Sequence, residues 1–429
     1  MRTFLAPAFQ FAALCSLLAP SVRAAHSNAA RPWPQGPTGT AITELAVGNE
    51  HTCALATSGD AYCWGLNASG QLGNGSTRRG EVATPVAAGG LKFTQITVGS
   101  SHTCALAADG QAYCWGDNKT GQLGDRSTQN RRGPTAVATV ARFERILAFS
   151  SWTCGVAADS SAHCWGAMGT GSGRAYQDRL FTSSPTALPG IRVVRLFASM
   201  FVRGGPCGIS GTGEAFCWQL RDTKIWVIQV SPPNLAFRSV VAPVGLSRLC
   251  GLLEGGVLHC WMVSASATGR SVAILIGPDQ LADSGVILLT EAPALTAPLT
   301  ILTGELCGLG TDRTPYCARS VSTPGPIEMA GLTGVPPLVS LSGGYSRYSN
   351  TCGLSESGDA YCWSEERVAR PLGGPALERV YTRPIGSGGC GLPPAGGVYC
   401  WGSNEHGQVG DGTRTERAAP VAVLGLPNR

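Results

Sequence analysis

The sequence predicts an all-β fold, a single β-propeller with eight blades and one disulfide-bonded hairpin in each blade. A hairpin-like unit recurs along the chain, and every copy contains two cysteines with the same spacing. Repetition at a period of roughly 40 to 55 residues is typical of propellers and solenoids. The chain of 429 residues also contains 58 glycines. This is about twice the usual share of glycine and indicates many tight turns.

The N-terminal residues 1–24 have the pattern of a cleaved export signal. An early arginine precedes an apolar stretch, and small residues follow where a signal peptidase needs them. The alternative is a membrane anchor, but Pro7 and Pro20 interrupt the apolar run, which is shorter than the roughly 20 residues of a spanning helix. We expect residues 25–40 to be a Pro/Gly-rich lead-in and residues 41–429 to form the propeller.

The cysteines form eight pairs once Cys15, which lies in the predicted signal, is set aside. Each pair has nine residues between its members and defines one unit, and we number the units in chain order. The pairs are Cys53 and Cys63, Cys104 and Cys114, Cys154 and Cys164, Cys207 and Cys217, Cys250 and Cys260, Cys307 and Cys317, Cys352 and Cys362, and Cys390 and Cys400. The last two pairs lie closest together along the chain, so seven blades remain the alternative count.

Each pair has the sequence of a hairpin whose two arms a disulfide can join. In TCALATSGDAYCW, two apolar arms flank a three-residue turn that ends in Gly59, where such a turn needs a positive φ. Counting outward places Cys53 and Cys63 opposite each other as a non-hydrogen-bonded pair, with Cα atoms about 4.5 Å apart, within reach of a disulfide. Zinc is the competing use, but zinc sites favour about two to four residues between ligands. Together with the export signal, the spacing favours disulfides.

Strands on either side of the hairpin bring each unit to four strands, which suits one propeller blade. A tryptophan follows the second cysteine in most units. We expect these rings to pack between neighbouring blades, with ligand stacking as the alternative role. They are Trp64, Trp115, Trp165, Trp218, Trp261, Trp363 and Trp401.

The loop after the hairpin resembles the repeat of the regulator of chromosome condensation family. The motif of that family is Trp-Gly, then Asn, then Gly-Gln-Leu-Gly. It matches at Trp64, Gly65, Asn67, Gly70, Gln71, Leu72 and Gly73, at Trp115, Gly116, Asn118, Gly121, Gln122, Leu123 and Gly124, and at Trp401, Gly402, Asn404, Gly407, Gln408 and Gly410. The resemblance implies a propeller, usually seven-bladed in this family, over residues 41–429.

The family is best known for nucleotide exchange on a nuclear GTPase and for histone binding. The resemblance carries neither activity to an exported, disulfide-bonded chain that has no basic run and whose units four to seven lack the loop motif. Exported bacterial members include a β-lactamase inhibitor, which implies that the scaffold can bind proteins. Arg far outnumbers Lys, which occurs only as Lys92, Lys119 and Lys224, and this composition favours a bacterial source.

The charged and polar residues indicate no catalytic or cofactor site. The formal net charge of +5 at pH 7 is too small to indicate a nucleic-acid partner. The histidines lack metal-ligand spacing, and neither a nucleophile elbow nor a phosphate loop occurs. Asp125 and Asp411 share a loop position where calcium is the alternative to turn chemistry, but one carboxylate per loop supplies too few ligands. We therefore expect no cofactor, no metal and no enzyme activity.

These observations predict a secreted or periplasmic monomer without a membrane span that binds a protein or a glycan. The alternative is a polysaccharide-acting enzyme with its site over the central channel, which needs charged side chains at one repeat offset in several copies. Residues 166–206 and 262–306 replace the compact loops by longer, unique segments, and variable loops on a rigid scaffold often carry function. Because ring closure sets the first and last units side by side, the units without compact loops form one continuous arc, the irregular arc, where we expect the binding surface. Its predicted partner-binding residues are Arg174, Tyr176, Arg179, Arg221, Lys224 and Trp226, with filling of gaps left by the lost motif as the alternative role.

Overall fold

The computed structural model of the protein describes residues 41–168, 180–198, 205–221, 224–232, 234–241, 248–262, 274–277, 280–281, 298–303, 306–318, 329–344, 349–364 and 366–427. The predicted export signal and lead-in lie outside these residues. Every regular element within them is a β-strand. The described part of the chain therefore contains no helix that could cross a membrane.

The strands follow one another as antiparallel neighbours within each unit. Units one to four contain β1 (Ile42–Val47), β2 (His51–Ala56), β3 (Ala61–Gly65), β4 (Gly80–Pro85), β5 (Phe93–Val98), β6 (His102–Ala107), β7 (Ala112–Gly116), β8 (Arg131–Ala136), β9 (Phe143–Phe149), β10 (Trp152–Ala157), β11 (Ser161–Met168), β12 (Leu180–Ala198), β13 (Pro206–Ser210), β14 (Ala215–Arg221) and β15 (Lys224–Gln229).

The second half of the chain repeats the pattern with shorter strands. Units five to eight contain β16 (Phe237–Val241), β17 (Arg248–Leu253), β18 (Leu258–Met262), β19 (Ile274–Gly277), β20 (Gln280–Leu281), β21 (Leu299–Leu302), β22 (Cys307–Gly310), β23 (Pro315–Ala318), β24 (Met329–Gly331), β25 (Leu338–Gly343), β26 (Thr351–Ser355), β27 (Ala360–Trp363), β28 (Arg370–Pro371), β29 (Arg379–Thr382), β30 (Gly388–Leu392), β31 (Tyr399–Gly402) and β32 (Arg417–Ala422).

The described strands form seven sheets, so the prediction of eight separate blades is wrong, although the single all-β propeller is confirmed. Units three and four share β12 and merge into one sheet of nine strands. The first part of β12 pairs with β11, at His163 and Ala187, and its last part pairs with β13, at Val193 and Ser210. One continuous strand of 19 residues thus closes one hairpin unit and opens the next.

All eight predicted disulfides are present, and each joins two directly paired hairpin residues, with Cα atoms 4.0 to 4.1 Å apart. The last turn residue has a positive φ, as for Gly59 at 78°. Ser160 and Arg313, the two departures from glycine at this position, adopt the same conformation with φ of 63° and 65°. The turn geometry therefore persists where the glycine is lost, at the cost of a strained backbone.

Each unit has a turn end, where the disulfide-bonded hairpin reverses, and a loop end, where its third strand connects to its fourth. The first strands lie closest to the propeller axis, because β1 contacts both β5 and β29. The ring closes where a hydrophobic cluster joins unit eight to unit one, with Val409 and Cys400 packed against Trp64. The indole of Trp64 is fully buried and donates a hydrogen bond of 3.0 Å to the Gln408 carbonyl.

Candidate binding site

The compact loops of units one, two and eight are each organised by a buried asparagine at the loop end. Asn118 Nδ2 lies 3.0 Å from Asp125 Oδ1 and 3.1 Å from the carbonyls of Ser127 and Gln129. Its Oδ1 accepts a hydrogen bond of 3.0 Å from the Leu123 N–H. Asn67 and Asn404 make the equivalent contacts in their own loops. A side chain so fully engaged holds the loop closed and is itself inaccessible to a partner.

The Gly-Gln-Leu-Gly part of the motif attaches each unit to the next one. The Gln71 carbonyl accepts hydrogen bonds from Trp115 Nε1 at 2.9 Å and from Thr103 Oγ1 at 2.8 Å. A Cβ on Gly73 would lie 2.6 Å from Trp115 Nε1, so only glycine lets this loop approach the indole. The buried tryptophans are therefore inter-unit packing residues, and the motif is a structural connection.

The loop carboxylates are held within their own loops. Asp125 pairs with Arg131 at 2.7 Å, and Asp411 pairs with Arg417 at 2.5 Å. Burial raises the pKa of Asp125, but hydrogen bonds from Ser127, Arg131 and Asn118 outweigh burial and hold the pKa below its ordinary value. These hydrogen bonds and ion pairs within each loop explain why both aspartates occupy the same loop position.

Unit four replaces the compact loop by a β-hairpin at its loop end. Strands β14 and β15 pair through Gln219 with Trp226 and, at the end of the ladder, through Arg221 with Lys224. The outer strand of this hairpin is extended by β19, which comes from the segment that follows unit five. The backbone thus builds a larger surface here than at the closed loops.

The six predicted partner-binding residues divide into two groups. The backbone of Arg221, Lys224 and Trp226 lies on the β14–β15 hairpin, at or near its tip. Arg174, Tyr176 and Arg179 lie outside the described residues. Whether any of the six contacts a partner stays a prediction.

The histidines at the start of the second strands are buried between units. His51 Nε2 lies 3.0 Å from Thr103 Oγ1, and His102 Nε2 lies 2.8 Å from Thr153 Oγ1. Burial lowers the pKa of His51 to about 4. Burial, together with the neighbouring His51, lowers the pKa of His102 to about 3. Both rings are neutral in the folded protein at physiological pH.

Sequence reasoning missed a ring of side chains near the axis. Each unit contributes one residue of its first strand. That residue pairs with the residue two positions after the first cysteine of the unit. These residues are Glu44, Gln95, Arg145, Arg195, Ser239, Ile301, Ser340 and Arg379. Several reach the first strand of the next unit, as when Gln95 Oε1 accepts a hydrogen bond of 2.8 Å from the Ile146 N–H. A charge within an apolar strand, as in ITELAV, was the available signal.

Glu44 has the most perturbed carboxyl group in this ring. Burial raises its pKa from 4.5 to about 7, opposed by a hydrogen bond from the Ile96 N–H and by the charge of Arg379. Burial also raises the pKa of Tyr381, which interacts with Arg379 and with the carboxylates of Glu44 and Glu378. All eight positions at this offset are described, and Glu44 is the one carboxylate among them.

Comparisons with known proteins match the regular units. The profile described as "Regulator of chromosome condensation (RCC1) repeat" matches residues 42–71 and 93–122 in one version and 58–106, 109–157 and 395–429 in another. These matches contain the three loops with a buried asparagine. The profile thus matches the units whose loop motif makes the connection to the next unit.

The curated relatives share about a quarter of the chain. The human protein "Probable E3 ubiquitin-protein ligase HERC6" is 35% identical over 106 residues, which are 24% of this chain and 10% of that protein. "RCC1 domain-containing protein RUG3, mitochondrial" of Arabidopsis thaliana is 34% identical over 101 residues, which are 23% of each chain. The matched regions thus span less than a quarter of these relatives.

Solved structures resemble the chain over a longer range. Yeast RCC1 (Prp20), in its complex with Kap60, is 15% identical with a TM-score of 0.48, over 80% of this chain and 78% of that chain. The ectodomain of the Arabidopsis thaliana receptor kinase ACR4 is 16% identical with a TM-score of 0.44, over 90% of this chain and 98% of that chain.

Proposed function

We propose, from the premise that this chain belongs to the regulator of chromosome condensation repeat family, that it is a binding scaffold which captures a protein or glycan outside the reducing cytosol. The scaffold itself catalyses no reaction. A repeat propeller fold suits this role, because its units hold connecting loops rigidly at one end.

The disulfides support the location. Eight hairpin disulfides form and persist only where thiols are oxidised, which points to secretion or the periplasm. Each closes a short ring and stabilises the fold by about 2 to 3 kcal/mol in the chain-entropy account. Thiol titration of the unfolded mature protein tests this point, and several reactive thiols would contradict it.

The observation that carries the proposal is the contrast between two kinds of loop. In the loops of units one, two and eight, polar groups form hydrogen bonds within the loop and to the next unit. Unit four instead extends a hairpin at the same end and adds β19 beside it. We place the binding surface on this irregular arc, with Arg174, Tyr176, Arg179, Arg221, Lys224 and Trp226 as its anchors, because Arg, Tyr and Trp dominate interface energies.

The enzyme alternative centres on Glu44, whose raised pKa suits a general acid. Most polysaccharide hydrolases need two carboxyl groups flanking the bond to be cleaved. Glu44 is the single carboxylate among the eight positions at its offset, all of them described. The ring therefore favours binding over hydrolysis at this offset.

The experiment is an affinity capture from the exported fraction of the source organism with immobilised mature protein. We expect one partner to be retained by the wild type and lost with the variant R174A/Y176A/R179A/W226A. Variant R78A/R79A/K119A is the matched control, since these exposed residues belong to the closed loops of units one and two. Equal capture by wild type and both variants would contradict the proposed surface.

A further inference from the structure

The first strands of units three, four and five place three arginines in succession around the axis, near the turn end. Arg145 and Arg195 occupy the same ring position, opposite Val156 and Ile209. Arg238 stands one residue earlier in unit five, beside Ser239 of the ring. We call Arg145, Arg195 and Arg238 the arginine arc.

Two of these guanidinium groups are oriented by the next unit. Arg145 Nη1 donates a hydrogen bond to the Val194 carbonyl. Arg238 Nη2 donates to the carbonyls of Leu299 and Thr300, at 2.6 and 2.9 Å. Since a guanidinium has five N–H donors, these bonds fix its direction and leave other donors for a ligand.

No carboxylate among the described residues forms an ion pair with the arginine arc. The contrast is with three other arginines of the described residues, Arg142, Arg192 and Arg313. Arg142 pairs with Asp109, Arg192 with Asp159 and Arg313 with Glu356. Arginines that pair with no described carboxylate, two of them held in a fixed direction, form a site that fits carboxylates, which they can bind with two parallel hydrogen bonds.

We propose that the arginine arc binds an acidic peptide segment of a protein partner through Asp or Glu carboxylates. This site goes beyond the loop-end surface, because it lies at the opposite end of the same units. Val194, which is 40% exposed, lies between Arg145 and Arg195 and offers apolar contact to a peptide. Glu144 is the exposed acidic neighbour of Arg145 in the sequence. An acidic peptide fits the arc better than a polyuronide does, because the methylene groups of its side chains can also contact Val194.

The test measures binding of a fluorescein-labelled peptide of eight glutamates by fluorescence anisotropy in low salt. We expect the variant R145A/R195A/R238A to bind at least about tenfold more weakly than the wild type, since each lost guanidinium removes a charge-assisted contact. The control R142A/R192A/R313A carries the same change in net charge and should bind within about twofold of wild type, because its arginines are already paired.

Three results with the wild type and the two alanine variants would overturn the proposal. They are the absence of peptide binding by the wild type, an equal loss in both triple variants, and tighter binding of polygalacturonate than of the peptide. Variant R145K/R195K/R238K covers the case in which the alanine variant fails to fold. It keeps the charge but loses the fork geometry, so we expect it to fold and to bind the peptide more weakly than wild type. Wild-type affinity in the lysine variant would likewise contradict the proposal.

Discussion

Arg383 and Gly388 occupy two positions at which the regular units have a glycine and a buried histidine, so the large and the small residue have changed places. In units one and two a glycine bonds to the carbonyl of a buried histidine, as Gly48 does to His51 at 3.0 Å. Unit eight keeps this bond at 3.1 Å but has Arg383 in the glycine position and Gly388 in the histidine position. One large side chain is therefore buried at this place in each of these units, from the opposite side of the pair in unit eight.

Arg383 should tolerate an apolar replacement. It is 1% exposed, one Nη donates to the Ser403 carbonyl at 2.7 Å, and its Nε and other Nη have no hydrogen-bond partner among the described residues. Burial lowers its pKa to about 10. Replacing a buried, incompletely bonded charge by a side chain of similar volume is often neutral or stabilising.

We therefore expect Arg383→Met to leave the free energy of unfolding unchanged or raise it, as measured by chemical denaturation. Arg383→Ala is the control, since it leaves a cavity and should destabilise by about 2 kcal/mol or more. A methionine variant as unstable as the alanine variant would show that the charge itself is needed.

Glu44 should make the protein less stable as the pH rises. Its folded pKa of about 7 exceeds the ordinary 4.5, so between these values the folded state binds more protons than the unfolded state. The contribution of the protonated Glu44 to stability is complete below about pH 4.5 and is lost as the pH rises through 7. We expect Glu44→Gln to gain on the order of 2 kcal/mol relative to wild type between pH 5 and 8. Parallel stability curves of the two proteins over this range would show that Glu44 is ordinarily solvated.

His51 and His102 should make the protein less stable as the pH falls, the opposite of the effect of Glu44. Their folded pKa values, about 4 and about 3, lie below the ordinary 6.5, so the unfolded state binds more protons in between. The contribution of the two neutral histidines to stability is present above pH 6.5 and is lost as the pH falls toward 4. Thermal unfolding from pH 7 to 4 should show a smaller loss in His102→Gln than in wild type. An equal loss of stability in the two proteins would show that His102 does not cause it.

Asn118 should be among the most sensitive polar residues. Alanine there removes contacts to Asp125, Ser127 and Gln129 and leaves the Leu123 N–H without its acceptor. We expect a loss of about 2 to 4 kcal/mol in chemical denaturation, since buried groups are left unpaired. Lys119→Ala, in the same loop but exposed, should cost less than about 0.5 kcal/mol. A small effect of both would mean that the asparagine does not hold the loop.

The hairpins and disulfides could be predicted because one short spacing fixes register, turn and pairing together. The merged sheet could not, because Pro185, Pro189 and Gly190 interrupt the pattern of β12 and indicate a loop rather than one strand. The axial ring was missed for a related reason. A register shift in the first strands, as between Ile42 and Glu44, breaks the alternation that would have identified inward-facing positions.

The affinity of the captured partner for two variants tests the central claim most directly. Calorimetric titration should give a Kd at least about a hundredfold weaker for R174A/Y176A/R179A/W226A than for wild type, with an unchanged melting temperature. Variant R78A/R79A/K119A should bind as the wild type does. A Kd unchanged by the first variant, or weakened more by the second, would place the binding surface elsewhere and contradict the claim.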